Sequence, residues 1–224
     1  MILEKFDDIY HRAAEQKGGE TELEALLCQV KTATELALIP DHRWLAEMTR
    51  KIFQSGFVWR VVNQKWEHFE QVFWGFEIEK LLMMPDELWE KKAQDPAIIR
   101  NWSKVATIKE NAQMIYQANL NGGFSNLIAE WETENITALW QYLKKNGKRL
   151  GGNTGAYSLR ALGKDTFLLS HDVEAYLRNH KLIDGGIQTQ RSFNIAQRVF
   201  LEWQQQSGRP LSHISQIVAF SMNN

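Results

Sequence analysis

The chain has 224 residues, 44% of them hydrophobic and 24% charged, which suits one globular unit with a sizeable core or two small lobes. Its 26 Lys and Arg against 27 Asp and Glu leave a net charge of -1, so any surface that grips nucleic acid has to be a local basic face. The lone cysteine, Cys28, excludes an internal disulfide and any cysteine-rich metal site. With no leader-type apolar start and no membrane-length apolar run, the expected compartment is the cytoplasm.

The periodicity is helical from end to end. Within the first forty residues "ELEALL" (22–27) reads as an apolar helix, and "EQKGGE" (15–20) as a loop. After Pro40, Asp41 is expected to cap a helix that carries Trp44, Leu45, Met48 and Ile52 on one face. The same pattern runs from Phe57 to Phe73 through Trp59, Val62, Trp66 and Phe69. Pro85-Asp86-Glu87 opens a short helix with acidic residues at its positive end. From Trp102 the residues Val105, Ile108, Ala112 and Ile115 recur every three or four positions until Gly122-Gly123. Amphipathic segments over 134–145 and 190–205 complete the set, with "LIDGGIQTQ" (182–190) a loop. No strict alternation exceeds a few residues, so the expected class is all-α. Most of the nine tryptophans are expected to be core residues.

Between the last two amphipathic segments stands "RLGGNTGAYSLRALGKDTFLLSHDVEAYL" (149–177). Two glycines, Asn153 and Thr154 open a small-residue helix. A short apolar strand-like run follows, and a second helix starts at His171-Asp172. Lys144, Lys145, Lys148 and Arg149 precede the glycines.

Several of these segments together resemble the DNA-3-methyladenine glycosylase I family. The Gln-x-Gly-x-x-Trp turn is Gln54-Ser55-Gly56-Phe57-Val58-Trp59, followed by the Phe-rich stretch, by Ile98-Ile99-Arg100-Asn101 and by Asn111-Ala112. The match resumes at "YLKKNGKRLGGNTGAYSL" and covers roughly 40–172 in consistent order. The resemblance implies a two-lobed fold of the helix-hairpin-helix glycosylase superfamily, taken as a single domain over 1–224. Its hairpin element lies at about 143–180, with the helices of 1–40 packed on it. It implies damaged double-stranded DNA as partner, no cofactor, no membrane, and a monomer that flips an alkylated base, 3-methyladenine first, and cuts its N-glycosidic bond. Gly151, Gly152, Asn153, Thr154 and Tyr157, with Lys148 and Arg149, would hold the DNA backbone, since glycine lets backbone N–H groups approach phosphate. Trp59 would stack on the flipped base, and Tyr10, preceding His11, is a further pocket candidate.

Four positions depart from the family pattern. Lys51 stands where the family places a base-reading glutamate. Glu47, one turn earlier, either takes that role or makes an ordinary i,i+4 surface pair with Lys51, the second being favoured. The family's zinc site of two cysteines and two histidines cannot form with Cys28 alone, so no metal is expected. Ala156 occupies the place of the lyase lysine, and the next lysine is Lys164, which implies a monofunctional glycosylase. Ser170 stands where many superfamily members have a catalytic aspartate; Asp172, two residues on, either fills that role or only favours its helix start while Ser170 caps. Three alternatives stay open: a glycosylase for a different lesion, which Lys51 would suit if that lesion is neutral or anionic; a non-catalytic DNA-binding protein that keeps the hairpin; and a helical protein-interaction module.

Overall fold

A computed structural model describes residues 3–222. Among them there is no strand, and the class is all-α. In chain order the helices are α1 (Phe6–Lys17), α2 (Glu20–Ala25), α3 (Ala33–Ala37), α4 (Asp41–Gln54) and α5 (Trp59–Gln64). Next come α6 (Trp66–Val72), α7 (Ile78–Leu82), α8 (Asp86–Ala93), α9 (Trp102–Asn119) and α10 (Phe124–Glu130). The last are α11 (Ile136–Asn146), α12 (Thr154–Ala161), α13 (His171–Asn179), α14 (Gln190–Ser207) and α15 (Leu211–Phe220). None of these helices is long and apolar enough to cross a membrane. The helices fall into two compact units, one of residues 3–31, 132–138 and 163–222, the other of 32–131 and 139–162.

The unit of 32–131 and 139–162 is built around α4. Its apolar face buries Trp44, Leu45, Met48, Ile52 and Phe53 completely or nearly so, against α9 and α12. Asp41 is the first residue of the helix and not its cap. Pro40 holds the cap position without a side-chain bond. The Asp41 carboxylate instead accepts hydrogen bonds from Asn119 (2.7 Å) and Ser125 (3.1 Å), tying α4 to the ends of α9 and α10. The helical run expected over 57–73 is broken at Lys65, whose backbone (φ -94°, ψ 0°) separates α5 from α6. The ammonium of Lys65 donates to the carbonyls of Pro96 and Ala97, both at 3.0 Å, which anchors the break. It turns Phe69 and Trp66 into an aromatic cluster in which Phe53 meets Phe69 at 4.7 Å and Trp66 stacks on Phe69 at 5.3 Å. Beyond it Trp74, Gly75 and Phe76 take left-handed backbone angles in succession (φ 53°, 65° and 64°). That conformation costs energy in the two aromatic residues. It is offset by Arg43, which binds Glu70 through two nitrogens (3.0 and 2.7 Å) and the carbonyl of Gly75 at 3.0 Å.

Trp44, Trp89, Trp140 and Trp203 are buried as expected, whereas Trp59, Trp74 and Trp102 are 51%, 40% and 48% exposed. Helical spacing alone does not distinguish the two groups.

In the other unit the two ends of the chain are joined by polar bonds. Glu4 is the hub: its carboxylate binds Arg12 (2.7 and 3.2 Å), the Tyr176 hydroxyl and His180 (3.2 Å), and its carbonyl accepts from the Trp203 indole at 3.0 Å. Arg12 and Gln16 reach the carbonyl of Ser221, and Gln216 and His213 hold the backbone of Cys28. Among the described residues no group of three or more His, Cys, Asp or Glu converges as a metal site. The apolar run before α13 is neither helix nor strand. Its Phe167 stacks on Phe200 at 4.4 Å, and Thr166 exchanges hydrogen bonds with Ser212, both at 3.0 Å.

Candidate nucleic-acid interface

The hairpin between α11 and α12 is shaped by two left-handed residues on either side of a buried leucine. Arg149 (φ 57°) and Gly152 (φ 61°) reverse the chain, and Leu150 between them is 1% exposed. The Leu150 carbonyl accepts from the Gly155 N–H at 3.2 Å, which starts α12. A Cβ on Gly155 would lie 2.7 Å from that oxygen, so only glycine lets α12 begin this close to the turn. A Cβ on Gly152 would meet nothing within 4 Å, so this side of the turn is open. Among the described residues the N–H groups of Gly151 and Gly152 donate to no acceptor.

Asn111 holds the hairpin from behind. It is fully buried in α9, and its side-chain amide pairs with the Lys148 peptide in both directions, accepting from the N–H at 2.7 Å and donating to the carbonyl at 3.2 Å. This explains in physical terms why Asn belongs in the motif. Of the basic residues ahead of the glycines, Lys148 pairs with Glu110 at 3.3 Å and remains exposed, and Arg149 donates to the Ser103 hydroxyl at 3.1 Å.

Facing the hairpin, the end of α4 turns through Ser55 and Gly56 into α5. Lys104 of α9 is buried beneath this turn, and its ammonium donates to the carbonyls of Ile52 (2.7 Å), Phe53 (3.2 Å) and Ser55. These are carbonyls that the end of a helix leaves without intrahelical partners. Burial, and secondarily repulsion from Arg149, lowers the pKa of this lysine. Sequence reasoning did not single out Lys104. The available signal was a lysine on the stripe of Ile108, Asn111 and Ile115, where an apolar residue is expected.

Between this turn, α5 and the hairpin lies a cavity of about 310 Å³. Lys51, Gln54, Ser55 and Trp59 line one side, residues 151–154 and Tyr157 the other. Trp59 stands edge-on to Tyr157 with ring centroids 6.0 Å apart, and the Lys51 ammonium lies 5.6 Å from the centre of the Trp59 ring. The expected Glu47–Lys51 pair forms at 3.1 Å, but it is no surface pair: the two side chains are 14% and 15% exposed. Gln54 accepts from Lys51 at 3.1 Å and donates to Asn63 at 3.0 Å, while Arg50 donates to the same Asn63 oxygen at 2.9 Å and lies 4.0 Å from Glu47. The five side chains close a ring that locks each head group. Gln54, quoted in the sequence motif without a role, is 4% exposed and carries this ring to the cavity wall.

The structure thus brings Trp59, Lys51, Gly151, Gly152, Asn153, Thr154 and Tyr157 around one cavity, with Glu47 behind Lys51. Residues 38–150 match the family model for methyladenine glycosylases, half of the chain. The chain belongs to the methyladenine glycosylase family. It is 31% identical over 124 residues to DNA-3-methyladenine glycosylase 1 of Escherichia coli (strain K12), the match covering 47% of this chain and 66% of that protein. It therefore spans just under two thirds of that relative's length. Among solved structures, the 8-oxoguanine glycosylase/lyase of Methanocaldococcus jannaschii, in complex with DNA containing 8-oxoguanine, is similar with a TM-score of 0.57 at 15% identity. That likeness covers 95% of this chain and 96% of the other, and shows that the two share an all-helical fold. A 3-methyladenine DNA glycosylase I from Staphylococcus aureus is similar with a TM-score of 0.48 at 21% identity, over 67% of this chain and 88% of that one.

Of the remaining candidates, Tyr10, Lys164, Ser170 and Asp172 lie in the other unit, and Ala156 lies in the unit of the cavity. Tyr10 donates to Glu24 at 2.9 Å with Arg209 over its ring, and burial and Glu24 raise its pKa. Ser170 caps α13 by accepting from the Val173 N–H, and Asp172 sits in the first turn, 3.4 Å from the ring of His171. Ala156 is buried at the inner face of α12, and Lys164 is 4% exposed.

Proposed function

We propose that the protein is a monofunctional DNA glycosylase: it flips a damaged base from duplex DNA into the cavity beside Trp59 and hydrolyses the N-glycosidic bond. The observation that carries this is a half-exposed tryptophan over a cavity walled by the hairpin, in a chain of the methyladenine glycosylase family. A core tryptophan would be buried, as Trp44 is. Trp59 offers a face on which a planar base stacks, an interaction worth about 1–3 kcal/mol. The N–H groups of Gly151 and Gly152, together with Asn153, Thr154 and Tyr157, hold the phosphates and sugars beside the flipped nucleotide. Lys148 and Arg149 supply the local positive charge.

The reference substrate is 3-methyladenine. Its ring carries positive charge in DNA, so its glycosidic bond is already weakened and needs little acid–base assistance. Asp172 is the proposed carboxylate for the developing sugar cation. Tyr10 and Glu47 act at most through neighbours, since their polar atoms are bonded to Glu24 and to Lys51. No lyase step is proposed, because an alanine side chain at position 156 offers no amine for a Schiff base. The protein is proposed to work as a cytoplasmic monomer, with both helical units serving one glycosylase domain and no cofactor.

Base release from methylated duplex DNA, with the freed bases separated by chromatography, tests this reading. Wild type is expected to release base without borohydride-trappable cross-linking. Trp59→Ala is expected to be slowed at least tenfold and Asp172→Asn slowed measurably. Binding of DNA without release of any damaged base would favour the non-catalytic alternative, and trapping on borohydride would refute the monofunctional assignment.

A further inference from the structure

The following rests on the cavity beside Trp59 being a base pocket, and it narrows the base. None of the residues lining the cavity is acidic, and Lys51 is the charged one. The nearest carboxylate, Glu47, lies outside the lining, with one oxygen 3.1 Å from the Lys51 ammonium and the other 4.0 Å from Arg50. The Gln54 amide is used at both ends, its oxygen on Lys51 and its nitrogen on Asn63. The cavity therefore retains no side-chain acceptor from this ring. It retains donors: Lys51 has three N–H groups, of which Glu47 and Gln54 occupy two. Among the described residues the hydroxyls of Thr154 and Tyr157 also bond to nothing, and each can donate or accept.

A methyladenine brings an amino group and, in DNA, a positive ring. At Lys51 the amino group would meet an ammonium, which donates and cannot accept, and the positive ring would add to that charge. A base with a keto oxygen at the same edge, and no positive charge, accepts the remaining N–H of Lys51. The face of Trp59 selects for a planar ring over a phosphate. We infer that this pocket prefers a neutral keto base, of which a 6-keto purine is the simplest, over 3-methyladenine, and that Lys51 sets the preference.

Hypoxanthine and adenine differ at the 6-position, keto against amino, and at N1, which is a donor in hypoxanthine and an acceptor in adenine. Titration calorimetry of the full chain with each free base is therefore read together with the Lys51 variant, which assigns the contact. Hypoxanthine is expected to bind wild type at least tenfold tighter than adenine. The ratio should fall to about one in Lys51→Met, and both bases should be lost in Trp59→Ala. The double variant Glu47→Gln with Lys51→Met removes the lysine without leaving a buried carboxylate unpaired, and replaces the single variant if that one does not fold. Equal or tighter binding of adenine, a ratio unmoved by Lys51→Met, or no binding of either base overturns the inference. Release assays on duplexes containing hypoxanthine or 3-methyladenine separate the two levels. A Lys51-dependent keto preference with no base released refutes the glycosylase reading and leaves the pocket assignment. Release of 3-methyladenine by a chain that prefers adenine does the reverse.

Discussion

Lys104 has no counterpart in a surface reading of α9, yet it determines where the Gln54–Gly56 turn sits. Its ammonium satisfies three carbonyls at the end of α4 while its stem packs under Phe57, whose ring centre is 4.5 Å from the Nζ atom. Lys104→Met keeps most of the stem and leaves those carbonyls without a donor in a site that excludes water. A loss of about 2 kcal/mol is expected, seen as a fall of roughly 5 °C in the thermal midpoint. Base release should drop further than stability alone explains, because Gln54 and Trp59 flank the turn; equal activity per folded molecule would disprove the positioning role. Asn111 acts similarly from the next turn but one of the same helix, where its amide bonds the Lys148 peptide.

The hairpin is an element in which two glycines do different work. At Gly155 an added methyl would collide with the Leu150 carbonyl at 2.7 Å, and neither the helix start nor the buried leucine is free to move. Gly155→Ala is expected to cost about 3 kcal/mol and to show it in chemical denaturation. At Gly152 there is space, and the penalty is the left-handed backbone alone, about 1–2 kcal/mol. Because the Gly152 side of the turn is the proposed phosphate contact, Gly152→Ala should weaken duplex binding severalfold despite its smaller effect on stability. If the two variants rank the same way in both assays, the hairpin is a structural turn only. The helices on either side of it were legible as 3.6-residue periodicity. The left-handed Arg149 was not, because nothing in an arginine codes for a positive φ; the Asn111 clamp and the burial of Leu150 impose it.

For the whole molecule, a net charge of -1 means that the proposed affinity for DNA has to come from a few local cations. Changing Lys148 and Arg149 together to Ala should reduce the slope of log affinity against log salt by about 1–2, with the fold intact by circular dichroism. An unchanged slope would place the DNA elsewhere. The terminal clasp has its own signature in pH. Glu4 is held below its ordinary value of 4.5, first by the hydrogen bond from Arg12, and Glu24 likewise by Arg209. A carboxylate with a depressed folded-state pKa contributes stability that is complete above the unfolded value and fades as pH falls through the folded one. Stability should therefore decline below about pH 4.5, and Glu4→Gln should lower the neutral-pH midpoint while flattening that decline; a variant as acid-sensitive as wild type would remove Glu4 from the account.

By itself the sequence determined the helical class, the order of the helices, the hairpin and the family, because periodicity and motif spacing are local properties of the chain. It offered a Ser170 cap at the start of α13 as one of two readings, and that cap forms. Only the tertiary structure decided which tryptophans are buried and that Trp59 is not, that the 57–73 run breaks at Lys65, and that Glu47 and Lys51 form a pair enclosed behind a cavity instead of on the surface. Each of these depends on what another segment brings to the same place: Pro96 and Ala97 under Lys65, Asn63 beside Gln54, and the hairpin opposite Trp59. Side chains at identical helical spacing differ in burial because packing partners come from residues remote in sequence, and no local pattern encodes them.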